Sequence, residues 1–200
     1  VDASVGGKNG VNVDGYKNMV GTFRQPRFVI CDVNLLRTLP VREFRSGLAE
    51  VVKSGIIADK ELFEMLEKAD FATLQRDTAL LQQIVYRAIS VKASIVERDE
   101  CEAGERRLLN LGHTLAHAIE TTSSKMNHGE AVAVGLSLIS DIAVKGGLLA
   151  QGDNERIQNL LQRAGFCLEP PVAKSQMLKA ISKDKKSEGN FVAEFKITHF

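Results

Sequence analysis

Three of the four histidines in this sequence lie within sixteen positions, at His113, His117 and His128. Imidazole is a common zinc ligand, and a catalytic zinc takes three protein ligands and leaves one position open. Two imidazoles and one carboxylate form a common set, for which His113 and His128 are the candidate nitrogen donors. The spacing HExxH is absent, which excludes a metalloprotease of that type, so the carboxylate must come from elsewhere.

Glu50 is the best candidate for that carboxylate. It lies in the otherwise apolar stretch SGLAEVVKSG, where an unpaired charge would be costly to bury. Lys53 follows three residues later, on the same face of a helix. An ordinary intrahelical salt bridge between Glu50 and Lys53 explains the pair as well as a metal site does, so both interpretations stay open at this point.

The segment RRLLNLGHTLAHAIE predicts a polar helix face suited to an anionic ligand. Its chemically active residues are spaced by four, three and four positions: Arg106, Asn110, His113 and His117. On one α-helix this spacing would place a cation, an amide and two imidazoles along a single stripe. The alternative is a solvated face with two incidental histidines, and the clustering of histidine in this part of the chain argues against it.

Further cations favour an anionic ligand. Lys92 interrupts the apolar face of a long helical segment, and Lys8 follows two glycines. Glycine-rich backbone beside lysine is typical of phosphate-binding loops, but GGKNG lacks the pattern of a P-loop. Other polar residues of interest are Lys17, Asn18, Lys183, Lys185 and Lys186. The simpler explanation for the lysines is a side chain that reaches past apolar residues to solvent, or a solvated helix end.

The composition limits the classes of protein to consider. The chain has 200 residues, of which 44% are hydrophobic and 26% charged, and its net charge is +1. This is an ordinary globular composition that supports neither nucleic-acid binding nor attachment to a membrane. The three cysteines are far apart and form no CxxC pair, so a reducing compartment such as the cytoplasm is expected. The N-terminus shows no signal peptide and no initiator Met, so we expect the chain to begin partway through a larger protein.

The hydrophobic pattern predicts a mainly α-helical protein. Residues 1–25 predict an ordered loop, residues 27–32 (RFVICD) a buried strand, and the C-terminal NFVAEFKITHF a short strand. Helices are predicted over residues 42–56, 60–69, 77–98, 108–121, 129–147, 153–164 and 174–183, with stops at Gly146-Gly147 and Gly165. We predict a remnant of an α/β domain over residues 1–40 and a helical domain over residues 41–200.

Several segments together resemble the 3-dehydroquinate synthase family. They are DASVGGKNGVN, YKNMVGTFRQP, LLRTLP, REFRSGLAEVVKSG, VKASIVERDECEAGERRLLNLGHTLAHAIE and HGEAVAVGLSL. They occur in the family's order over nearly the whole chain, and the combination of AEVVK, LNLGHTLAHAIE and HGEAV is highly specific. The resemblance implies the C-terminal helical domain of the dehydroquinate synthase-like fold, preceded by a remnant of a Rossmann-like domain that binds NAD.

The resemblance also implies an activity. The family converts 3-deoxy-D-arabino-heptulosonate 7-phosphate to 3-dehydroquinate and phosphate, in the shikimate pathway of aromatic amino acid biosynthesis. The implied chemistry is oxidation of a substrate alcohol by NAD, elimination of phosphate, reduction of the ketone and an aldol ring closure. The implied cofactors are NAD and Zn²⁺, or Co²⁺. The implied partners are a small phosphorylated sugar acid and a second subunit in a homodimer, in the cytoplasm or, in a plant or alga, in the plastid.

The resemblance assigns roles to individual residues. The implied metal ligands are Glu50, His113 and His128. The implied catalytic residues are His117, Glu102, Lys53, Arg106 and Asn110. The implied substrate contacts are Asp2, Lys8, Asn18, Lys53, Lys92, Arg106, Asn110, His117 and Lys185, with Lys92 and Arg106 at the carboxylate and Lys185 preferred to Lys186 at the phosphate. The implied NAD contacts are Lys17, Leu35, Leu36, Arg37 and Thr38.

The sequence departs from the family in several places, and alternatives remain. The family's glycine-rich NAD loop, and an arginine contributed by a neighbouring subunit, would precede Val1; Ser46 stands where Asn is common; and the end, ITHF, stops early or has diverged. We therefore expect a fragment that binds metal better than NAD. The alternatives are a related sugar-phosphate cyclase, an iron-dependent alcohol dehydrogenase and a non-catalytic helical module. Arg106 with Asn110 favours dehydroquinate synthase, because its substrate carries a carboxylate.

Overall fold

The computed structural model describes residues 2–13, 16–173 and 175–181, without the side chains of residues 12 and 16–19. Over these residues the fold is mainly helical, as predicted, with a two-stranded sheet near the N-terminus. The α-helices are α1 (Val41–Ala58), α2 (Lys60–Lys68), α3 (Thr78–Arg98), α4 (His113–Thr122), α5 (His128–Lys145) and α6 (Gln151–Arg163). None of the helices described is long and apolar enough to cross a membrane.

One apolar core joins these helices, and α5 lies at its centre. α5 packs against α1, α4 and α6. Its segment Ala131–Val134 is fully buried, which explains why this part of the sequence lacks a polar face. Because α1, α4 and α5 also carry the candidate metal ligands, the packing of this core sets the relative positions of those ligands.

Most predicted helix boundaries are confirmed, and side-chain caps account for several of them. The carboxylates of Asp59 and Asp77 accept hydrogen bonds from backbone N–H groups in the first turns of α2 and α3, at 2.9 and 3.0 Å. α5 ends at Lys145, directly before the predicted stop at Gly146, and α6 ends at Arg163, two residues before the predicted stop at Gly165. Residues 175–181 of the last predicted helix are helical. The predicted C-terminal strand lies outside the described residues. The same holds for the three lysines that precede it, Lys183, Lys185 and Lys186.

Asp59 joins α2 to α3 through its carboxylate. It caps α2 and also accepts two hydrogen bonds from the guanidinium of Arg87 on α3, at 2.7 and 2.9 Å. Burial raises the pKa of this carboxyl, but the hydrogen bonds from Arg87 and from the backbone of α2 hold it below its ordinary value. A lowered pKa means that the ionised carboxylate stabilises the folded state above the ordinary aspartate pKa, and that this stabilisation is lost as pH falls through the lowered pKa.

We expect Asp59→Ala to lower the free energy of unfolding by about 2–3 kcal/mol, because both the cap and the hydrogen bonds to a charged partner are lost. Asp59→Asn keeps the cap and weakens the pair with Arg87, so its cost should be about half as large. Urea unfolding at several pH values measures both. The difference in unfolding free energy between the wild type and Asp59→Asn should shrink as pH falls below about 3.9. A difference that does not change with pH would mean that the charge of Asp59 contributes nothing to the stability of the fold.

The N-terminal segment contains a hairpin in place of the predicted loop. Strands β1 (Val11–Val13) and β2 (Tyr16–Val20) pair in antiparallel fashion, with Val11 opposite Val20 and Val13 opposite Tyr16. The sequence signal was available, since Asp-Gly stands between VNV and YKNMV and is a common hairpin turn. The prediction failed because each strand is too short to show a clear alternation.

The predicted buried strand over residues 27–32 is wrong. These residues have no strand hydrogen bonding, and the side chains of Phe28 and Ile30 are 77% and 83% exposed. A strand requires a neighbour that satisfies its backbone groups. Among the described residues, no strand pairs with this segment. Apolar composition alone was therefore insufficient evidence for a buried strand.

The single helix predicted over residues 108–121 is two elements. A 3-10 helix covers Glu105–Asn110, and α4 begins three residues later. Gly112 separates them with φ of 76°, a left-handed conformation that favours glycine. Arg106 and Asn110 therefore lie on a different element from the two histidines of α4. The predicted stripe along one α-helix is wrong, although its members remain neighbours in the chain.

Candidate metal centre

Three helices bring Glu50, His113 and His128 together. Glu50 lies in the middle of α1, and the two histidines are the first residues of α4 and α5. Nε2 of His113 and Nε2 of His128 lie 3.2 and 3.4 Å from Oε1 of Glu50. One ligand atom from each residue lies within 4.8 Å of the others. The structure thus assembles the three residues that the sequence indicated as metal ligands.

The orientation of these groups fits a shared cation. Oε1 of Glu50 is buried and accepts no hydrogen bond from the described residues, although both imidazoles are close to it. Nδ1 of His113 lies 3.1 Å from the carbonyl oxygen of Leu111, and Nδ1 of His128 lies 3.2 Å from Oε1 of Glu120. When each Nδ1–H donates to its oxygen, each Nε2 lone pair faces Glu50. Two imidazole nitrogens and a carboxylate oxygen around one point form the donor set of a divalent metal such as zinc.

The electrostatics favour an ionised carboxylate at this site. Burial raises the pKa of Glu50, but the two imidazoles and the ammonium of Lys53 hold it well below its usual range. The nearby carboxylates of Glu120 and then Glu50 raise the pKa of His128 to about 9. Glu50 is therefore negatively charged at neutral pH. A metal ion must compete with the proton on His128, so metal affinity should increase with pH.

A capping box fixes the start of α5, where His128 lies. The side chain of Asn127 accepts a hydrogen bond from the backbone N–H of Glu130 at 3.0 Å, and the Glu130 carboxylate accepts one from the backbone N–H of Asn127 at 2.9 Å. Arg42 of α1 donates two hydrogen bonds to the same carboxylate, at 2.7 and 2.8 Å. The first turn of α5 is therefore held both by its own cap and by α1.

Gly129 lets α5 approach α1 closely. Its backbone N–H donates to Oγ of Ser46 at 3.0 Å, and a Cβ at this position would overlap the carbonyl oxygen of Ser46. A second close approach occurs at Gly135, where a Cβ would overlap the carbonyl oxygen of Gly112 at the start of α4. Glycine is required at both contacts because a side chain would force the helices apart. These contacts set the distances between the helices that carry the ligands.

Lys53 is a buried cation between α1 and the 3-10 helix Glu105–Asn110. Its ammonium pairs with the carboxylate of Glu50 and donates to the carbonyl oxygen of Leu109 at 2.6 Å. The intrahelical salt bridge considered as the simpler explanation is thus present, in the same cluster as the two histidines. The two interpretations of Glu50 do not exclude one another, because its two oxygens face different partners.

Asp2 and Lys92, both predicted substrate contacts, bind each other. The ammonium of Lys92 on α3 lies 2.9 Å from the carboxylate of Asp2 and donates to the carbonyl oxygen of Asp2 at 2.7 Å. Asp2, Glu50 and Leu36 line one cavity of ≈ 150 Å³ between α1 and α3. The structure therefore brings a predicted substrate contact, a candidate metal ligand and a predicted NAD contact around one cavity.

Lys8, Glu102 and Asn110 form a second polar cluster. The Glu102 carboxylate pairs with the ammonium of Lys8 and accepts a hydrogen bond from the side chain of Asn110 at 2.7 Å. Glu102 has φ of 61°, which residues other than glycine rarely adopt. Asp99 stabilises this turn by accepting hydrogen bonds from the backbone N–H groups of Ala103, Gly104 and Arg106. Strained backbone held by surrounding contacts is typical of functional sites.

Arg106 is almost fully buried. Its guanidinium donates to the carbonyl oxygen of Gly6 at 2.6 Å and to that of Glu100, and it lies 5.5 Å from the ring centre of Phe23. Arg106 therefore attaches the N-terminal segment to the helical domain. Its role at a substrate carboxylate stays a prediction, as does the catalytic role of the residues around it.

The predicted NAD contacts Leu35–Thr38 belong to a 3-10 helix, Val33–Thr38. The side-chain amide of Gln75 donates to the carbonyl oxygens of Leu36 and Leu39, at 2.8 and 2.7 Å. Leu36 packs against the core, whereas Leu35 is largely exposed. The segment is thus fixed to the helical domain while part of it faces outward. Contact with NAD stays a prediction.

The remaining predicted site residues are placed only in part. His117 lies one turn after His113 on α4, with 5.8 Å between the ring centres. Lys17 and Asn18 lie on β2, but their side chains are outside the described part of the structure, and so is Lys185.

Glu120 and Gly129 contribute to the site but were not identified from sequence. Glu120 lies seven positions after His113, a spacing of two turns that places both on one face of α4. Gly129 directly follows a candidate ligand and begins an apolar helix, which can indicate close approach of another backbone. Both sequence signals were present, but neither one identifies a residue of the site until the helix that packs against it is known.

Solved structures of sugar-phosphate cyclases have the same fold. The 2-epi-5-epi-valiolone synthase ValA from Streptomyces hygroscopicus subsp. jinggangensis, with NAD⁺ and Zn²⁺ bound, superposes with a TM-score of 0.85 at 28% identity, covering 94% of this chain and 53% of that one. A 2-deoxy-scyllo-inosose synthase complexed with carbaglucose-6-phosphate, NAD⁺ and Co²⁺ superposes with a TM-score of 0.76 at 27% identity, covering 90% of this chain and 50% of that one.

Sequence comparison identifies the family. The 3-dehydroquinate synthase N-terminal family model matches residues 1–46, and the 3-dehydroquinate synthase C-terminal model matches residues 47–187. The 3-dehydroquinate synthases of Microcystis aeruginosa and Pelobacter propionicus are 47% and 45% identical to 93% and 96% of this chain. The chain spans 52% and 54% of their lengths, about half of each relative. With both family models matched along the chain, this protein belongs to the 3-dehydroquinate synthase family.

Proposed function

We propose that this chain forms the metal-binding and substrate-binding part of a 3-dehydroquinate synthase, a carbon–oxygen lyase that converts 3-deoxy-D-arabino-heptulosonate 7-phosphate to 3-dehydroquinate and phosphate. The observation that carries the proposal is the arrangement of Glu50, His113 and His128 in a chain 47% identical to a named 3-dehydroquinate synthase. Residues 1–40 would be the end of the NAD-binding domain, and residues 41–200 the helical domain. A homodimer is part of the proposal.

The proposed cofactors are Zn²⁺ or Co²⁺, held by Glu50, His113 and His128, and NAD, near the 3-10 helix Val33–Thr38. When bound, the metal would polarise a substrate hydroxyl while NAD accepts and later returns a hydride. The chain's own residues hold the ligands in position. Lys53 keeps the carboxylate of Glu50 ionised, because a buried cation beside a carboxylate favours its charged form.

Two lysines are suited to bind the anionic groups of the substrate. Lys92 is paired with Asp2, and Lys8 with Glu102, so each cation already has a carboxylate partner. A substrate carboxylate or phosphate can compete with that partner for the ammonium. His117, one turn from His113, would transfer a proton, a task suited to imidazole near neutral pH.

Calorimetric titration of the zinc-loaded chain tests the substrate class. The two ligands to compare are 3-deoxy-D-arabino-heptulosonate 7-phosphate and a heptulose 7-phosphate without the carboxylate. We expect the carboxylated ligand to bind at least about 10-fold more tightly, because a hydrogen bond to a charged group contributes about 1.5–3 kcal/mol. Lys92→Gln should reduce this preference, and Lys60→Gln, at an exposed position on α2, should preserve it.

Two other outcomes would favour different functions. Equal binding of both ligands, with phosphate released from the uncarboxylated one in the presence of NAD, would indicate a related sugar-phosphate cyclase. Failure to bind either ligand, in a protein that holds one zinc per chain, would indicate a non-catalytic helical module.

A further inference from the structure

We propose that Glu120 is a positioning residue that orients His128 for metal binding. The inference rests on the metal site of the proposed function and extends it to a residue outside the ligand set. Oε1 of Glu120 lies 3.2 Å from Nδ1 of His128, and the side chain of Glu120 is only 11% exposed. A largely buried carboxylate is therefore directed at the ring nitrogen that faces away from the metal position.

The two histidines are held in different ways. The ring of His113 is 13% exposed, and the carbonyl oxygen of Leu111 lies 3.1 Å from its Nδ1. The ring of His128 is 49% exposed, so packing restricts it much less. Its orientation therefore depends on the contact with Glu120, whereas burial and the backbone of the chain hold His113.

The contact fixes the protonation pattern of the ring as well as its direction. A carboxylate that accepts Nδ1–H selects the tautomer whose Nε2 carries a lone pair, and it makes that lone pair more basic. In this structure Nε2 of His128 lies 3.4 Å from Oε1 of Glu50, on the side of the other ligands. Glu120 also lies on α4, two turns beyond His113, so one helix supplies a ligand and orients a second ligand on α5.

The test is the zinc affinity of Glu120→Ala and Glu120→Gln, measured by competition with a chromophoric chelator. We expect Glu120→Ala to bind zinc about 10–100-fold more weakly, as is typical when the hydrogen-bond partner of a metal-bound histidine is removed. Glu120→Gln keeps an acceptor without the charge, so its loss should be smaller. Glu155→Gln, at an exposed glutamate of α6, should bind zinc as tightly as the wild type.

Two further readouts separate positioning from a general structural role. The visible spectrum of the Co²⁺-substituted protein should change in Glu120→Ala, because the geometry of the His128 ligand changes. A merely structural glutamate would lower the stability of the protein without altering the zinc affinity or that spectrum. If Glu120→Ala does not fold, Glu120→Gln decides the question by the same measurements.

The outcomes distinguish this inference from the proposed function. A wild-type chain that binds no zinc would overturn the metal site itself. A wild-type chain that binds one zinc, with the same affinity in Glu120→Ala and Glu120→Gln, would overturn the role of Glu120 and leave the metal site standing.

Discussion

Replacing His113 with alanine should weaken zinc binding by more than about 100-fold, since loss of a partner behind a ligand alone costs about 10–100-fold. The remaining groups cannot compensate. Glu50 and His128 would provide two of the usual three ligands, and the buried Oε1 of Glu50 would lose the nearer of its two imidazole neighbours. Titration with zinc in the presence of a competing chelator measures the change directly.

His117→Ala is the matched control for this experiment. His117 lies one turn further along α4, with its ring centre 5.8 Å from that of His113, and it is not among the three grouped ligands. It should therefore keep one zinc per chain with nearly wild-type affinity. If His113→Ala retained stoichiometric zinc and His117→Ala lost it, the ligand assignment would have to be exchanged between the two histidines.

Gly129→Ala should lower the free energy of unfolding by about 3 kcal/mol or more, at the upper end of the cost of overpacking. The added Cβ would overlap the carbonyl oxygen of Ser46 in the middle of a helix, and neither backbone can move without breaking its own hydrogen bonds. Because His128 directly precedes Gly129, any shift of α5 away from α1 also separates His128 from Glu50. We therefore expect zinc affinity to decrease together with stability.

Gly152→Ala supplies the comparison. Gly152 lies in the first turn of α6, and a Cβ there would meet no atom within 4 Å. Since alanine favours helix over glycine by up to about 1 kcal/mol, this variant should be as stable as the wild type or slightly more stable. Urea unfolding and zinc titration of both variants give the result. A Gly129→Ala protein with unchanged stability would contradict the close contact between α1 and α5.

The sequence predicted the helical elements well because their signals are local. Periodic apolar positions, with Gly165 as a stop after α6, identified α1, α2, α3 and α6 to within a few residues. The failures arose where long-range contacts decide the structure. Residues 27–32 have the composition of a buried strand, but within the described part of the chain no strand pairs with them. Gly112 interrupts an apparently continuous helical pattern, because α4 must begin where Gly135 of α5 approaches it.

The grouping of Glu50, His113 and His128 was predictable because histidine is rare in this chain and a carboxylate is costly in an apolar helix. Arg106 and Asn110 were grouped with the two histidines because of their spacing along one predicted helix. That reason was wrong, because they lie on the separate 3-10 helix Glu105–Asn110. The structure instead joins Asn110 to Lys8 through Glu102 and buries Arg106 against the N-terminal segment. The contacts of Lys8 with Glu102 and of Arg106 with Gly6 join residues 94 and 100 positions apart, and such contacts leave no periodic pattern in a single sequence.

The most direct test of the metal site is X-ray absorption spectroscopy at the zinc edge of the zinc-loaded protein. The proposed ligands predict nitrogen and oxygen neighbours at about 2.0–2.2 Å, with the outer-shell signal of two imidazole rings. The chain also has three exposed free cysteines that could bind zinc instead. A sulfur shell at about 2.3 Å, or the absence of the imidazole signal, would contradict a site formed by Glu50, His113 and His128.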